Sequence, residues 1–124
     1  MIENGTQDSV VLDCVYSFDK IEDRNLVVKW FFEDDPEPIY QFIAEYGTRH
    51  YSQRLKGRIN LNHTVGDEDY IKYRALSLFR PTIEFSGKYS CHVQSLAGLD
   101  VREGSMIVYG MYPLTQFYRS FINN

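Results

Sequence analysis

The positions of three residue types limit the possible folds of this chain more than any other feature. The two cysteines, Cys14 and Cys91, are 77 positions apart, and the single tryptophan, Trp30, lies between them. Tyr89 stands two residues before the second cysteine, and the Ser86-Gly87 pair just before it is typical of a tight turn. Around these residues, apolar and polar side chains alternate with a period of two, which predicts strands buried on one face.

Short segments of this kind recur along the chain, and there is no internal repeat and no convincing amphipathic helix. We predict strands over residues 9–16, 26–32, 39–43, 57–61, 72–79, 87–94 and 101–109, with a further short strand within 44–55. Residues 95–100 are predicted to form a flexible loop. In the last strand, either Met106 and Val108 or Ile107 and Tyr109 face inward. The predicted core residues are Leu12, Trp30, Leu76, Leu78 and Tyr89.

The order Cys, Trp, Tyr-x-Cys over roughly a hundred residues resembles the signature of an immunoglobulin sandwich, an all-β fold of two antiparallel sheets. The resemblance implies that a disulfide between Cys14 and Cys91 joins the sheets and that Trp30 packs on it. It also implies that the Tyr89 hydroxyl bonds back to the backbone of the preceding turn. Residues 10–109 resemble the V-type of this domain in their long cysteine separation, in Leu76-x-Leu78 and in Lys56-Gly57-Arg58-Ile59, with room for strands C′ and C″.

Two positions depart from the V-type pattern. Phe85 stands where V domains usually have an aspartate, so Arg58 loses its usual ion-pair partner. Either Glu84 or another acid replaces that partner, or Arg58 is solvated. Arg102-Glu103-Gly104-Ser105 stands where antigen receptors have a Gly-x-Gly bulge, which argues against an antibody or a T-cell receptor.

Within V-type domains, Val28-Lys29-Trp30-Phe31 and Glu84-x-Ser86-Gly87-x-Tyr89-x-Cys91 resemble insect neuronal surface proteins of the beaten-path family. These are axon-guidance ligands and receptors. The resemblance implies a first immunoglobulin domain that binds another immunoglobulin-family surface protein, either a different one or itself, through the face of strands G, F, C and C′.

Alternation places several side chains outward on that sheet, with Phe31 as an exposed aromatic. An exposed phenylalanine beside tyrosine and histidine is a candidate hot spot for protein binding. The opposing interpretation is that the C″ segment or the aromatic tail covers Phe31. The predicted interface residues are Lys29, Phe31, Tyr40, Phe42, Ser90, His92 and Gln94.

Charge and composition narrow the class of partner. The net charge is −4 and the 13 Lys and Arg are scattered, which argues against nucleic acid or anionic lipid as the main partner. No run of 18 apolar residues exists, so we expect no membrane insertion. Aromatic residues make up 15% of the chain, and they suit either recognition or a β-rich core.

The cysteine pair and two glycosylation sequons, at Asn4 and Asn62, favour a secreted or cell-surface protein. We predict a domain over residues 1–112 and a linker or tail over 113–124. The alternative for the tail is that it docks on the sandwich.

No pattern in the sequence indicates chemistry. The acids Glu33, Asp34, Asp35 and Glu37 can supply oxygen ligands for calcium, but prolines interrupt them, which favours a solvated turn. Ser90 and His92 share a strand face without an orienting acid, and no nucleophile elbow or phosphate loop is present. We therefore expect neither catalysis, nor a metal, nor a cofactor. Two alternatives to the adhesion or guidance module stay open: a soluble immune or pattern-binding protein that uses its end loops, and a structural spacer in a larger receptor.

Overall fold

The computed structural model describes residues 9–16, 25–96, 98–109, 112–114 and 120–122. Short 3₁₀ turns lie at Gln53–Leu55 and Ile83–Phe85. No helix in the described ranges is long and apolar enough to cross a membrane. The strands are β1 (Ser9–Leu12), β2 (Val27–Phe32), β3 (Tyr40–Ile43), β4 (Thr48–Tyr51), β5 (Leu76–Phe79), β6 (Gly87–Ser95), β7 (Gly98–Tyr109), β8 (Tyr112–Leu114) and β9 (Ser120–Ile122).

The strands form two antiparallel sheets. β1 pairs with β5, with Leu12 opposite Leu76. The larger sheet has the order β4-β3-β2-β6-β7, and both β8 and β9 pair with β7. A disulfide between Cys14 and Cys91, whose Cα atoms are 6.2 Å apart, joins the two sheets. The predicted all-β, immunoglobulin-like sandwich with one disulfide is therefore confirmed.

The core lies between the sheets, where the alternating apolar residues meet. Trp30 is fully buried opposite Cys91, and its indole N–H donates to the carbonyl of Arg74 at 2.8 Å. The single polar group of the ring is therefore satisfied. Full burial of one large apolar side chain stabilises the fold by about 1.5–3 kcal/mol. The other predicted core residues, Leu12, Leu76, Leu78 and Tyr89, are buried as well.

Buried tyrosines tie distant loops to the sandwich. The Tyr89 hydroxyl donates to the carbonyl of Phe85 at 2.6 Å, which is the expected bond between strand β6 and the turn before it. Tyr40 donates in the same way to the carbonyl of Tyr73, at 2.7 Å, and Tyr16 to that of Tyr70. Burial raises the pKa of Tyr40 to about 12, with Arg49 opposing the shift. These hydroxyls therefore stay protonated and keep donating at physiological pH.

The predicted strand over 57–61 is wrong. Gly57 has a φ of +79° two residues after the 3₁₀ turn at Gln53–Leu55. The amides of Arg58 and Ile59 then bond back to the Leu55 carbonyl, so the backbone prolongs the turn. What remains of strand pairing in this segment is an isolated bridge between Ile59 and Leu78.

The predicted flexible loop over 95–100 is also wrong. Ser95 pairs with Gly98, so β6 and β7 form a tight hairpin, with Gly98 at a φ of +134°. Along β7, Met106 and Val108 are the inward pair. The Ile107–Tyr109 end of β7 pairs with β8, so the predicted boundary at 112/113 falls inside a strand. β9 pairs with Val101–Glu103, so these two segments of the tail dock on the sandwich.

Among the described residues, Arg74 is the buried arginine. Its guanidinium makes two contacts with the carboxylate of Asp13, Nε–Oδ1 at 2.8 Å and Nη2–Oδ2 at 3.1 Å. Arg58 instead donates to the carbonyl of Arg80, and Glu84 accepts from the hydroxyl of Thr82. Glu84 therefore does not replace the missing partner of Arg58.

Candidate recognition surface

The solvent side of the larger sheet is the candidate site. Residues directly opposite each other on paired strands share a face, so the register decides which side chains lie there. Lys29 is opposite His92, and Phe31 is opposite Ser90. We call this surface the outer face; it comprises Val27, Lys29, Phe31, Gln41, Ile43, Thr48, His50, Lys88, Ser90, His92, Gln94, Leu99, Val101, Glu103 and Ser105.

An aromatic contact lies at the centre of the outer face. The rings of Phe31 and His92 are 4.5 Å apart between centroids and tilted by 49°. Phe31 is therefore half-buried, not fully exposed as the alternation predicts, because a neighbouring side chain covers part of its ring. A pre-packed phenylalanine loses little side-chain entropy on binding, which favours its use as an anchor.

The other predicted residues differ in how accessible they are. Lys29 is partly exposed and Gln94 is exposed. Ser90 lies on the predicted face but is only 8% exposed, so it can add little to a contact.

Tyr40 and Phe42 do not belong to this surface, and their predicted outward orientation is wrong. They are 3% and 0% exposed. Tyr40 pairs with Trp30 on β2, which fixes it on the inward face. The outward residues of β3 are Gln41 and Ile43, which the sequence interpretation missed. Gln41 was the available signal, because it is the single polar residue of the segment 39–43.

Charges flank the aromatic centre on both sides. Burial lowers the pKa of His92 below its usual value of 6.5, the nearby Lys29 lowers it further, and Glu103 opposes the shift. The imidazole is therefore neutral at pH 7. Glu103 lies 3.6 Å from the ammonium of Lys88. The centre of the outer face is thus uncharged, between a cation on β2 and an ion pair across β6 and β7.

Two acidic residues of the turn after β2 have a structural role. Glu33 has a φ of +54°, and its carboxylate accepts the backbone N–H of Lys88, which links this turn to β6. Asp35 accepts the backbone N–H of Glu37 at 3.0 Å. Across the described ranges, no three His, Cys, Asp or Glu side chains are grouped so that they could hold a metal ion.

One of the two glycosylation sequons lies within the described residues. Asn62 is exposed in a turn, where a glycan has room. Asn4 lies outside the described residues.

The chain matches no protein-family model, and no curated protein is significantly similar to it. The fold and the disulfide alone therefore support its placement among immunoglobulin-like sandwiches. A disulfide-bonded domain of this kind is compatible with an extracellular location.

Proposed function

We propose that this chain is an extracellular recognition domain that binds an immunoglobulin-family surface protein through its outer face, in cell adhesion or axon guidance. The partner is either a different protein or a second copy. We also propose that the domain is of the V-type and that it resembles the beaten-path family. β3 and β4 follow β2 and precede residues 57–61, where V-type domains have their C′ and C″ strands, and this supports the V-type proposal.

The observation that carries the proposal is the contact between Phe31 and His92 at the centre of an ordered sheet face. Interfaces gain most of their affinity from a few aromatic or arginine anchors near their centre, surrounded by residues that exclude water. Farther along β2 and β3, Val27 and Ile43 lie opposite each other and add apolar surface to the outer face. The role needs no chemistry, only complementary shape and charge.

The flanking charges supply orientation and specificity. Lys29 on one side and the Lys88–Glu103 ion pair on the other give the face a charge pattern that a partner can match or reject. Such rim charges change the association rate and the choice of partner more than the affinity. A single domain of this size is expected to bind weakly, and clustering on a surface strengthens the binding through avidity.

The test is a multivalent screen of the disulfide-intact domain on beads against extracellular immunoglobulin proteins, itself included. For any hit, Phe31→Glu is compared with Ile83→Glu, which places the same charge on a side chain 66% exposed in the corner before β6. We expect Phe31→Glu to weaken binding at least roughly 30-fold, as the loss of a hot spot implies. Ile83→Glu is expected to stay within about twofold.

Several outcomes would count against this site. Full binding by Phe31→Glu, with the melting temperature unchanged, would exclude the outer face. Equal losses in both variants would indicate a nonspecific charge effect. A screen without hits would favour a structural spacer.

One observation favours the second candidate, a soluble immune or pattern-binding protein that uses its end loops. The turn between β3 and β4 is one of these end loops. A cleft opens between this turn and the segment 69–73. Substitutions in these loops, and not in the outer face, would then abolish binding.

A further inference from the structure

The two edge strands of the larger sheet differ in how they are covered. One edge is β7, and β8 and β9 pair along it, so the chain itself covers this edge. The other edge is β4 (Thr48–Tyr51), which within the described ranges pairs with β3 alone. An exposed strand edge presents unpaired N–H and C=O groups, and proteins usually protect it against pairing with another chain.

The backbone groups of two residues on β4 point away from the sheet. The amide of Ser52 donates to the carbonyl of Ile39, and bonded pairs alternate along an antiparallel ladder. The register therefore assigns the backbone groups of His50 to the bonds with β3. Arg49 and Tyr51 point the other way, and in the described part of the chain their backbone groups have no hydrogen-bond partner.

The side chains of β4 do not protect this edge. The strand has no proline and no lysine, the residues that commonly block edge pairing. The guanidinium of Arg49 lies 3.7 Å from the centroid of the Tyr73 ring and donates to the carbonyl of Leu61, so it is folded inward. Tyr51 leaves an aromatic side chain 44% exposed at the end of the strand. The edge is therefore open to a further strand, although its length of four residues limits how strongly that strand can bind.

We propose that β4 pairs antiparallel with β4 of a second copy of this chain, across a two-fold axis at His50. In this register Arg49 lies opposite Tyr51 of the second copy, and each of these symmetric pairs exchanges its outward N–H and C=O groups. A register centred on Arg49 would oppose two like charges, which destabilises strand pairing. A register centred on Tyr51 would need Gln53 to be extended, but Gln53 begins a 3₁₀ turn.

The charges at the two ends of β4 make this edge complementary to itself. Glu45 and Tyr46 precede the strand, Arg54 follows it, and all three are exposed. In the described part of the chain neither Glu45 nor Arg54 makes an ion pair, and the Arg54 guanidinium lies 5.4 Å from the ring of Phe32. A two-fold axis brings the start of one β4 beside the end of the other. The carboxylate and the aromatic ring before one strand thus lie beside the guanidinium after the other, and both attract it.

The dimer extends the outer face without covering it. The two-fold axis is perpendicular to the sheet, so the outer faces of both copies lie on the same side of one continuous sheet. Phe31 lies on β2, two strands from the edge, and stays accessible. Two such anchors on one side permit bivalent binding, which strengthens a weak contact through avidity. This consequence rests on the proposed function, whereas the dimer itself does not.

The test is sedimentation velocity of the whole, disulfide-intact chain at pH 7 over protein concentrations up to about 1 mM. We expect a reversible dimer with a dissociation constant on the order of 1 mM or below, weak because the interface is small. Hydrogen exchange of the backbone amides, measured by NMR at low and high protein concentration, locates the interface. Exchange is expected to slow at Arg49 and Tyr51 as the concentration rises. It is expected to stay unchanged at His50, whose amide already bonds to β3.

Charge reversal tests the register. Glu45→Arg and Arg54→Glu are each expected to weaken the dimer at least about tenfold, because like charges then face each other at both ends of β4. An equimolar mixture of the two variants is expected to restore dimerisation, since every facing pair again carries opposite charges. The control is Glu84→Arg, the same charge change in the 3₁₀ turn beside β7, which is expected to change the dissociation constant less than about twofold. Phe31→Glu is likewise expected to leave the dimer intact, so this proposal and the proposed function fail independently.

Three results would overturn the proposal. The first is a chain that stays monomeric up to about 1 mM. The second is a dimer in which hydrogen exchange at Arg49 and Tyr51 does not change, since such a dimer uses another surface. The third is a mixture of the two charge variants that stays as monomeric as either variant alone.

Discussion

Replacing Asp13 by alanine is expected to destabilise this protein more than any single change at an exposed ion pair. The Asp13 carboxylate makes both contacts with the guanidinium of Arg74, whose side chain is only 10% exposed. It also accepts the backbone N–H of Cys14 at 2.7 Å, next to the disulfide. Asp13→Ala therefore leaves a buried cation and a backbone donor without their main acceptor.

The magnitude follows from burial. Removing one partner of a buried ion pair costs about 3–5 kcal/mol, mostly because the remaining charge is poorly solvated. The Asp13 side chain is 29% exposed, so water can reach the site, and Arg74 also lies 5.1 Å from the ring of Tyr16. Both features reduce the penalty, so we expect a loss of about 3 kcal/mol. At about 4 °C per kcal/mol this lowers the melting temperature by roughly 12 °C.

The assay is urea unfolding at pH 7 under oxidising conditions, followed by circular dichroism. The control is Glu103→Ala, which breaks the pair with Lys88, where the side chains are 50% and 30% exposed. That change is expected to cost less than about 1 kcal/mol. Adding Arg74→Met to Asp13→Ala is expected to recover stability, because an apolar side chain has no charge to solvate. If Asp13→Ala costs no more than Glu103→Ala, or if the double variant is less stable than Asp13→Ala, the reasoning is refuted.

Three further changes test the turn before β6, the first residue of β6 and the outer face. Tyr89→Phe is expected to cost about 1–3 kcal/mol in urea unfolding, because a buried carbonyl loses its donor; a cost near zero would show that the bond adds nothing. Gly87→Ala is expected to lower the melting temperature, since a Cβ there would lie 2.5 Å from a carboxylate oxygen of Glu33 at a φ of +150°, and an unchanged melting temperature would contradict this. The pKa of His92 measured by NMR should lie below 6.5 and should rise in Lys29→Gln. Since His92 binds its proton less readily in the folded state, its contribution to stability is present above pH 6.5 and is lost as the pH falls below it; a measured pKa above 6.5 would overturn both statements.

The buried face of a strand was predictable from the sequence wherever polar and apolar residues alternate. On β2, Val28, Trp30 and Phe32 are all buried, as the pattern predicts. On β3 the residues of both faces are apolar except Gln41, so local alternation alone does not determine which face points inward. The pairing of Tyr40 with Trp30 decides it, and that pairing depends on the turn between the two strands.

The outer face was predictable only in part for the same reason. Lys29, Phe31 and His92 follow from β2 and β6, which have clear alternation. The contact between the rings of Phe31 and His92 requires the register between strands, which no single segment contains. The cleft beside Asp69 brings together loops distant in sequence and gave no sequence signal.

The resemblance of the sequence to immunoglobulin sandwiches predicted the sandwich class, the disulfide between Cys14 and Cys91, and the core around Trp30. These depend on local periodicity and on rare residues at fixed spacings, which are hallmarks of immunoglobulin domains. The pairing of Asp13 with Arg74, 61 residues away, and the docking of tail segments on β7 become visible only in the folded protein. Such contacts depend on which surfaces come together after the sheets have packed, because a charge or an open strand edge is satisfied by whichever partner lies nearest in space.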